Sequence, residues 1–224
     1  MALTIQDIFP LSTSQGSSST AKLLEPYFCT KELYMPTFNV LSETRIAYNK
    51  LMSHPYYMFQ YVYKHLMNWE YFLIEEFYRR MKGKFEIFYI VDWSAPYRIS
   101  AAATDSITVD RTQGLQSDTG YGGNTLIIYN PTRSGTNKQI LTISAIDSTT
   151  VSVNEVVTTA LATARGTYMY VLYSGMFDAS KINGTVVDTC IQRNVLNIEG
   201  YGSRSMFGPI MEITLPLIQI GVMK

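Results

Sequence analysis

Two cysteines, two histidines and few charges leave this 224-residue chain short of the usual chemical equipment. Cys29 and Cys190 form no CxxC spacing and are too few for a disulfide framework. They read as two reduced thiols made in a cytosol, where structural disulfides are rare. With His54 and His65 as the only histidines, a zinc site would need carboxylates or the distant cysteines to complete it. No metal and no cofactor is therefore expected. Charged residues make up 16% of the chain, against about 25% in an average domain. Eighteen Lys and Arg balance eighteen Asp and Glu, which removes the basic footprint of a nucleic-acid binder. A lightly charged, neutral surface favours self-association. No segment reaches the ~18 apolar residues of a membrane-spanning helix. Met1 to Pro10 lacks the basic start and apolar run of a signal peptide, so neither a membrane span nor secretion is expected. The sequon Asn183-Gly184-Thr185 carries little weight without secretion.

Catalytic signatures are missing too. Gly120-Tyr121-Gly122-Gly123-Asn124 lacks the GK[ST] ending of a phosphate loop and precedes no helix, so it reads as a turn between strands. Gly200-Tyr201-Gly202-Ser203 reads likewise. Glu75 and Glu76 are adjacent, about 100° apart on a helix, and cannot flank one bond as a glycosidase requires. Asp92, Asp105, Asp110 and Asp118 have no spacing that assembles a cleft. Two histidines and no GxSxG elbow give no nucleophile triad. The expectation is a protein that is not an enzyme.

What is present is 46% apolar residues, including 17 tyrosines. A chain of this length buries roughly 70% of its unfolded surface without staples. Leu66, Trp69, Leu73 and Phe77 fall on one helical stripe, and Tyr71, Ile74, Tyr78 and Met81 on a second. They predict a largely buried helix over 67–82, with Asn68 as N-cap and Glu70 in the first turn. Arg79, Arg80 and Lys82 complement the dipole at the other end, and Gly83 supplies the left-handed stop. The cluster Arg79, Arg80, Lys82 and Lys84 reads as charge serving that helix end and its turn. A strand follows at 85–93, with Phe85, Ile87, Tyr89, Val91 and Trp93 on one face and Glu86, Phe88, Ile90 and Asp92 on the other. Pro96 ends it.

Upstream, strands are expected at 43–51 and 55–66, the latter aromatic on both sides and so covered on both. From Ser106 the texture turns to Thr, Ser, Val and Ile, with strands at 106–110, 124–130, 138–146 and 149–154. Aromatics return at 168–173, and strands follow at 185–192, 194–199 and 209–219. The fold class is mainly β (α+β), a β-roll or sandwich with one packed helix and an inserted small β module. Residues 1–35 read as an N-terminal arm whose serine-rich part cannot bury itself. Residues 36–104 plus 167–224 read as the main β domain, and 105–166 as the inserted module.

The helix ending in Arg/Lys-x-Gly-Lys/Arg, then an aromatic strand closing on Asp-Trp, resembles a pattern in the distal tail proteins of siphophages and gene transfer agents. The matching residues are Phe77-Tyr78, Arg80, Gly83-Lys84, Phe85, Phe88 and Asp92-Trp93. Thr44, Arg45 and Tyr48 fill an upstream slot loosely. The match covers about residues 66–98; Lys84 stands where Arg is usual, and the Asp-Trp order is inverted relative to many relatives. The resemblance implies a structural virion protein, made in the host bacterial cytoplasm, that forms a homohexameric ring at the distal end of the tail tube. Its partners would be its own copies, the tube protein, and the hub or baseplate proteins. The arm would exchange between neighbours and the inserted module would decorate the outside. The expected fold nucleus is Trp69, Leu73, Phe77, Gly83, Phe85 and Trp93, which with Arg80 and Asp92 make up the structural motif. A tail terminator, a connector, a tube protein, or a glycan-binding module of the tail tip are the rival readings.

Overall fold

The computed structural model describes residues 8–9, 23–34, 37–41, 47–51, 56–82, 86–117, 124–179, 181–198 and 202–219; for 37–41, 47–51, 188–198 and 202–208 it describes the backbone alone. The strands are β1 (Phe28–Tyr34), β2 (Thr37–Leu41), β3 (Ala47–Leu51), β4 (Tyr56–Met67), β5 (Phe88–Val91), β6 (Tyr97–Ala102), β7 (Ser106–Val109), β8 (Thr125–Tyr129), β9 (Lys138–Ile146), β10 (Thr150–Val153), β11 (Tyr168–Phe177), β12 (Thr185–Ile198) and β13 (Gly202–Gln219). Two helices, α1 (Asn68–Arg80) and α2 (Thr159–Ala162), complete the described elements. The protein is mainly β, as its residue patterns require.

All pairings between the described strands are antiparallel. One 11-stranded sheet runs β1-β4-β13-β11-β6-β7-β10-β9-β8, with β12 on β13 and β5 on β11 off this path, and β8 pairs again with β11. That last pairing closes β11, β6, β7, β10, β9 and β8 into a six-stranded barrel. Closure removes free edges. The strands expected within 105–166 are thus all present, and they close through β6 and β11 rather than on one another. Alternate residues fill the interior: Ile107, Val109, Leu126, Ile128, Leu141, Ile143, Val151, Val153, Met169 and Val171 join the main core. The opposite face of β8 and β11 is buried as well, since Ile127, Tyr129, Tyr170 and Leu172 pack with Ile8 and Leu23.

β11 is the joint of the molecule. Its first half closes the barrel against β8 and β6; its second half pairs with β5 and β13. Gly175 sits where both neighbours press closest. A Cβ there would lie 2.3 Å from Ile90 Cδ1 and 2.5 Å from the Ile218 carbonyl oxygen. The carbonyl is backbone and cannot rotate aside. Gly175→Ala is therefore expected to destabilise the fold by about 2 kcal/mol through overpacking, read as a lower urea midpoint with an unchanged slope.

Several local expectations are corrected. β4 is covered on one face only: Phe59, Tyr61 and Tyr63 are buried while Gln60 and Lys64 are exposed. His65, at φ 57°, belongs to a bulge in which Lys64 and His65 face the single residue Glu212 of β13. The extra residue shifts the phase, so Leu66 and Met67 are buried in succession. In α1, Asn68 is the first helical residue rather than the N-cap; that place belongs to Met67, whose N–H donates to the Glu70 carboxylate at 2.7 Å. Lys82 is left-handed (φ 50°), while Gly83, the expected stop, lies outside the described residues. Lys82 pairs with Glu86 at 2.9 Å, and the Glu86 N–H reaches the Met81 carbonyl at 3.2 Å, which holds that turn. β5 is shorter than 85–93, but its two faces divide as expected. Phe88 and Ile90 enter the main core, while Val91, Tyr89 and Trp93 face the second cluster.

The strand ends before Pro96 as expected, and an unexpected strand, β6, starts one residue after it with its own ladder. The expected breaks at 193 and in the arm fail. β12 runs through with register shifts, and residues 28–34 form β1 on the edge of β4.

Candidate functional site

The densest polar chemistry among the described residues lies where β1, β5 and β11 meet. Lys31 is brought inward by the alternation of β1, on which it pairs with Phe59 of β4. Its Nζ donates to Asp92 Oδ2 at 2.7 Å and to Tyr173 Oη at 2.8 Å. The ammonium also lies over the rings of Tyr57 (4.0 Å) and Tyr173 (4.6 Å). Asp92 is 1% exposed. Its Oδ1 accepts the Ser94 N–H at 3.2 Å and the Ser94 hydroxyl at 2.5 Å. Beneath it the Tyr61 hydroxyl donates to the Val91 carbonyl.

Burial pulls the Lys31 pKa down, but the adjacent Asp92 charge, with hydrogen bonds to Asp92 and Tyr173, outweighs it and the net movement is upward. Burial, with Asp92 nearby, pushes the Cys29 thiol up to about 12. Burial lifts Tyr173 to about 12 against the pull of Lys31. Every candidate nucleophile here is held protonated, and the lysine is held as a cation between aromatic faces. Such a cluster acts as a clamp. It ties the edge strand β1 to the end of β5 and to β11.

Asp92→Ala leaves the Lys31 ammonium without its counter-ion. Breaking a buried pair costs about 3–5 kcal/mol. Lys31 is 20% exposed, which lets water offset part of this, so about 2–3 kcal/mol is expected in a urea titration. The double variant Lys31→Met, Asp92→Leu should recover most of that loss, because an apolar pair of similar volume needs no desolvation.

The sequence-expected residues separate into distinct places. Phe77 joins Phe9, Phe88 and Phe177 in an aromatic cluster, at 5.0 Å from Phe9 and 5.2 Å from Phe88. Asp92 belongs to the clamp. Trp93 packs edge-on to Tyr170 at 4.9 Å in the second cluster, and its Nε1 has no hydrogen-bond partner among the described residues. Trp69 and Leu73 are half-buried on α1. Arg80 lies over the Phe77 ring at 4.8 Å, and Arg79 pairs with Glu75 at 2.6 Å. The basic cluster thus serves the helix end; its fourth member Lys84, with Gly83 and Phe85, lies outside the described residues, as do Asp118, His54, Thr44 and Arg45.

Of the carboxylates, Asp92 is paired with Lys31, and Asp110 accepts the Arg98 N–H at 3.1 Å. Among the described residues no three His, Cys, Asp or Glu side chains gather as metal ligands. No described helix is long and apolar enough to cross a membrane. Tyr173 was legible only as part of the aromatic run 168–173, and Lys31, Ser94 and Phe9 gave no site signal, because one lysine on a mixed edge strand resembles any solvated lysine. Comparison with protein-family models and with curated proteins finds no match for this chain.

Proposed function

We propose that this chain is a structural subunit of a phage tail, assembling as a ring at the distal end of the tail tube and joining it to the tip. The observation that carries this reading is the β12–β13 ribbon. Among the described residues, β13 pairs from Gly202 to Gly208 with β12 alone, and only from Ile210 does it also pair with β4. Seven residues of two-stranded ribbon extend about 23 Å. A ribbon of this kind is marginal in water by itself, and its edges present unpaired backbone groups. Val186 and Val187 on β12 are half exposed, as are Phe28, Leu33 and Tyr34 on the edge strand β1. Both edges gain most from a neighbouring copy, and head-to-tail pairing closes a ring under cyclic symmetry. Of the residues that carry the resemblance, Phe77, Phe88 and Asp92 are buried in the body from which these edges project.

The test is the solution mass of the purified protein with negative-stain images, for the full chain and for a variant with residues 191–207 replaced by a short turn. Closed rings from the full chain and a folded monomer from the variant are expected. A full chain that stays monomeric at high concentration and is missing from tails of assembled particles would reject the proposal.

A further inference from the structure

A cleft of about 390 Å³ opens between β6 and the turn that leads from α2 into β11, lined by Arg98, Ile99, Thr163, Arg165, Gly166 and Tyr168 among others. Its size lies within the range of small-molecule sites. Two features make it more than a gap between elements.

The first is charge. Arg98 and Arg165 come from segments 67 positions apart and reach the same cleft. Among the described residues neither guanidinium has a carboxylate within salt-bridge distance; Asp110 accepts the Arg98 backbone N–H and lies 3.6 Å from Arg111 instead. In a protein of zero net charge, two arginines lining one concavity, neither in an ion pair among the described residues, favour an anion, which guanidinium groups bind through paired N–H donors.

The second is rigidity. The turn closes through the Thr167 N–H to the Ala164 carbonyl at 3.1 Å, with Gly166 at φ 83°. Asn130, 1% exposed, fixes it from below: its Nδ2 donates to the Arg165 carbonyl at 3.1 Å and to Thr167 Oγ1 at 2.8 Å. Thr167 Oγ1 in turn donates to the Leu161 carbonyl at 2.8 Å. The Arg165 backbone is therefore held in place before any ligand arrives, which lowers the entropy lost on binding. Beside the two arginines stands the Tyr168 ring, 41% exposed. It offers an apolar face to a ring-shaped ligand while its backbone is paired in the barrel with Arg98 and Tyr129.

We propose that this cleft binds an anionic sugar, a sugar ring carrying a carboxylate or a phosphate, with Arg98 and Arg165 on the anion and Tyr168 against the ring. The inference is independent of ring assembly, since β6 and β11 are barrel strands and no lining residue belongs to the projecting ribbon. In the test, the full chain is titrated by calorimetry with glucuronate, glucose 6-phosphate, glucose and inorganic phosphate. Saturable binding of at least one anionic sugar is expected, with glucose weaker by roughly tenfold or more, as loss of a charge-assisted contact implies. Arg98→Gln and Arg165→Gln should each weaken the anionic sugar by about the same factor; both side chains are exposed, so the fold is retained. Tyr168→Ser should weaken the sugar and leave inorganic phosphate unchanged. A preference for glucuronate or for glucose 6-phosphate identifies the anion. The proposal is overturned if neither anionic sugar saturates, if glucose matches them, if the double arginine variant keeps its affinity, or if inorganic phosphate binds as tightly as the phosphosugar.

Discussion

Above about pH 10 the protein is expected to unfold in one cooperative step that releases its buried tyrosine protons together. A free tyrosine titrates near pH ~10. Tyr61, Tyr63, Tyr129, Tyr170 and Tyr173 are all buried, and burial is the largest cause that raises each of them. For Tyr173 the value reaches about 12. Between the free value and the raised one, the unfolded chain gives up a proton that the folded chain retains. The unfolded state then binds fewer protons, so stability falls as pH rises. Below about pH 10 the penalty is absent. Above it, each such group removes up to about 1.4 kcal/mol per pH unit, and five acting together exceed a typical stability of about 5–15 kcal/mol within one to two units.

Lys31 acts in the same direction. Its raised pKa contributes stability that is complete below its unfolded value of about 10.4 and is lost as pH rises through the folded one. The measurement is circular dichroism and tyrosinate absorbance followed against pH on one sample. Exposed tyrosines should titrate first without structural change, and the remainder should ionise only with the loss of ellipticity. Ionisation of every tyrosine near pH 10 with the fold intact would contradict the burial of these five.

The parts legible in the sequence are those in which local pattern and tertiary role agree. The strand expected at 138–146 is found as Lys138–Ile146, because its apolar alternation faces the barrel interior and the turn at Asp147 and Ser148 follows directly. α1 was legible from its stripes and its end charges. Barrel closure was not, since the pairing of β8 with β11 joins residues about 40 positions apart and no local signal announces it. β6 was hidden behind Pro96, which interrupts one strand and leaves the next free to begin. β1 was hidden by its composition, FCTKELY, in which neither face is apolar throughout. The clamp needed exactly the contact that a pattern cannot contain: Asp92 stood out as part of a motif, but its partner Lys31 lies 61 residues away.

Phe9→Ala is expected to destabilise the protein by about 3–5 kcal/mol, the range for removing a fully buried phenylalanine. Phe9 is 0% exposed although it precedes a serine-rich stretch that points to an unanchored terminus. Its ring contacts Phe77 at 5.0 Å, Phe177 at 5.1 Å, Phe88 at 5.7 Å and Tyr61 at 6.0 Å. It therefore fills the centre where α1, β4, β5 and β11 converge. Its N–H donates to the Tyr89 carbonyl at 3.0 Å, and Ile8 bridges the same residue in parallel, closing the second cluster. Removing the ring leaves four aromatic neighbours around a void that cannot collapse without moving the helix. Phe72→Ala is the control: that ring is 54% exposed on the outer side of α1, and a change of about 0.5 kcal/mol or less is expected. Denaturant titrations of both variants, made at a concentration where only monomer is present, decide between two roles for this segment. A large loss for Phe9→Ala in the monomer means the segment completes its own core. A loss that appears only when copies associate means that the site is filled by a neighbour, as strand exchange between ring subunits requires.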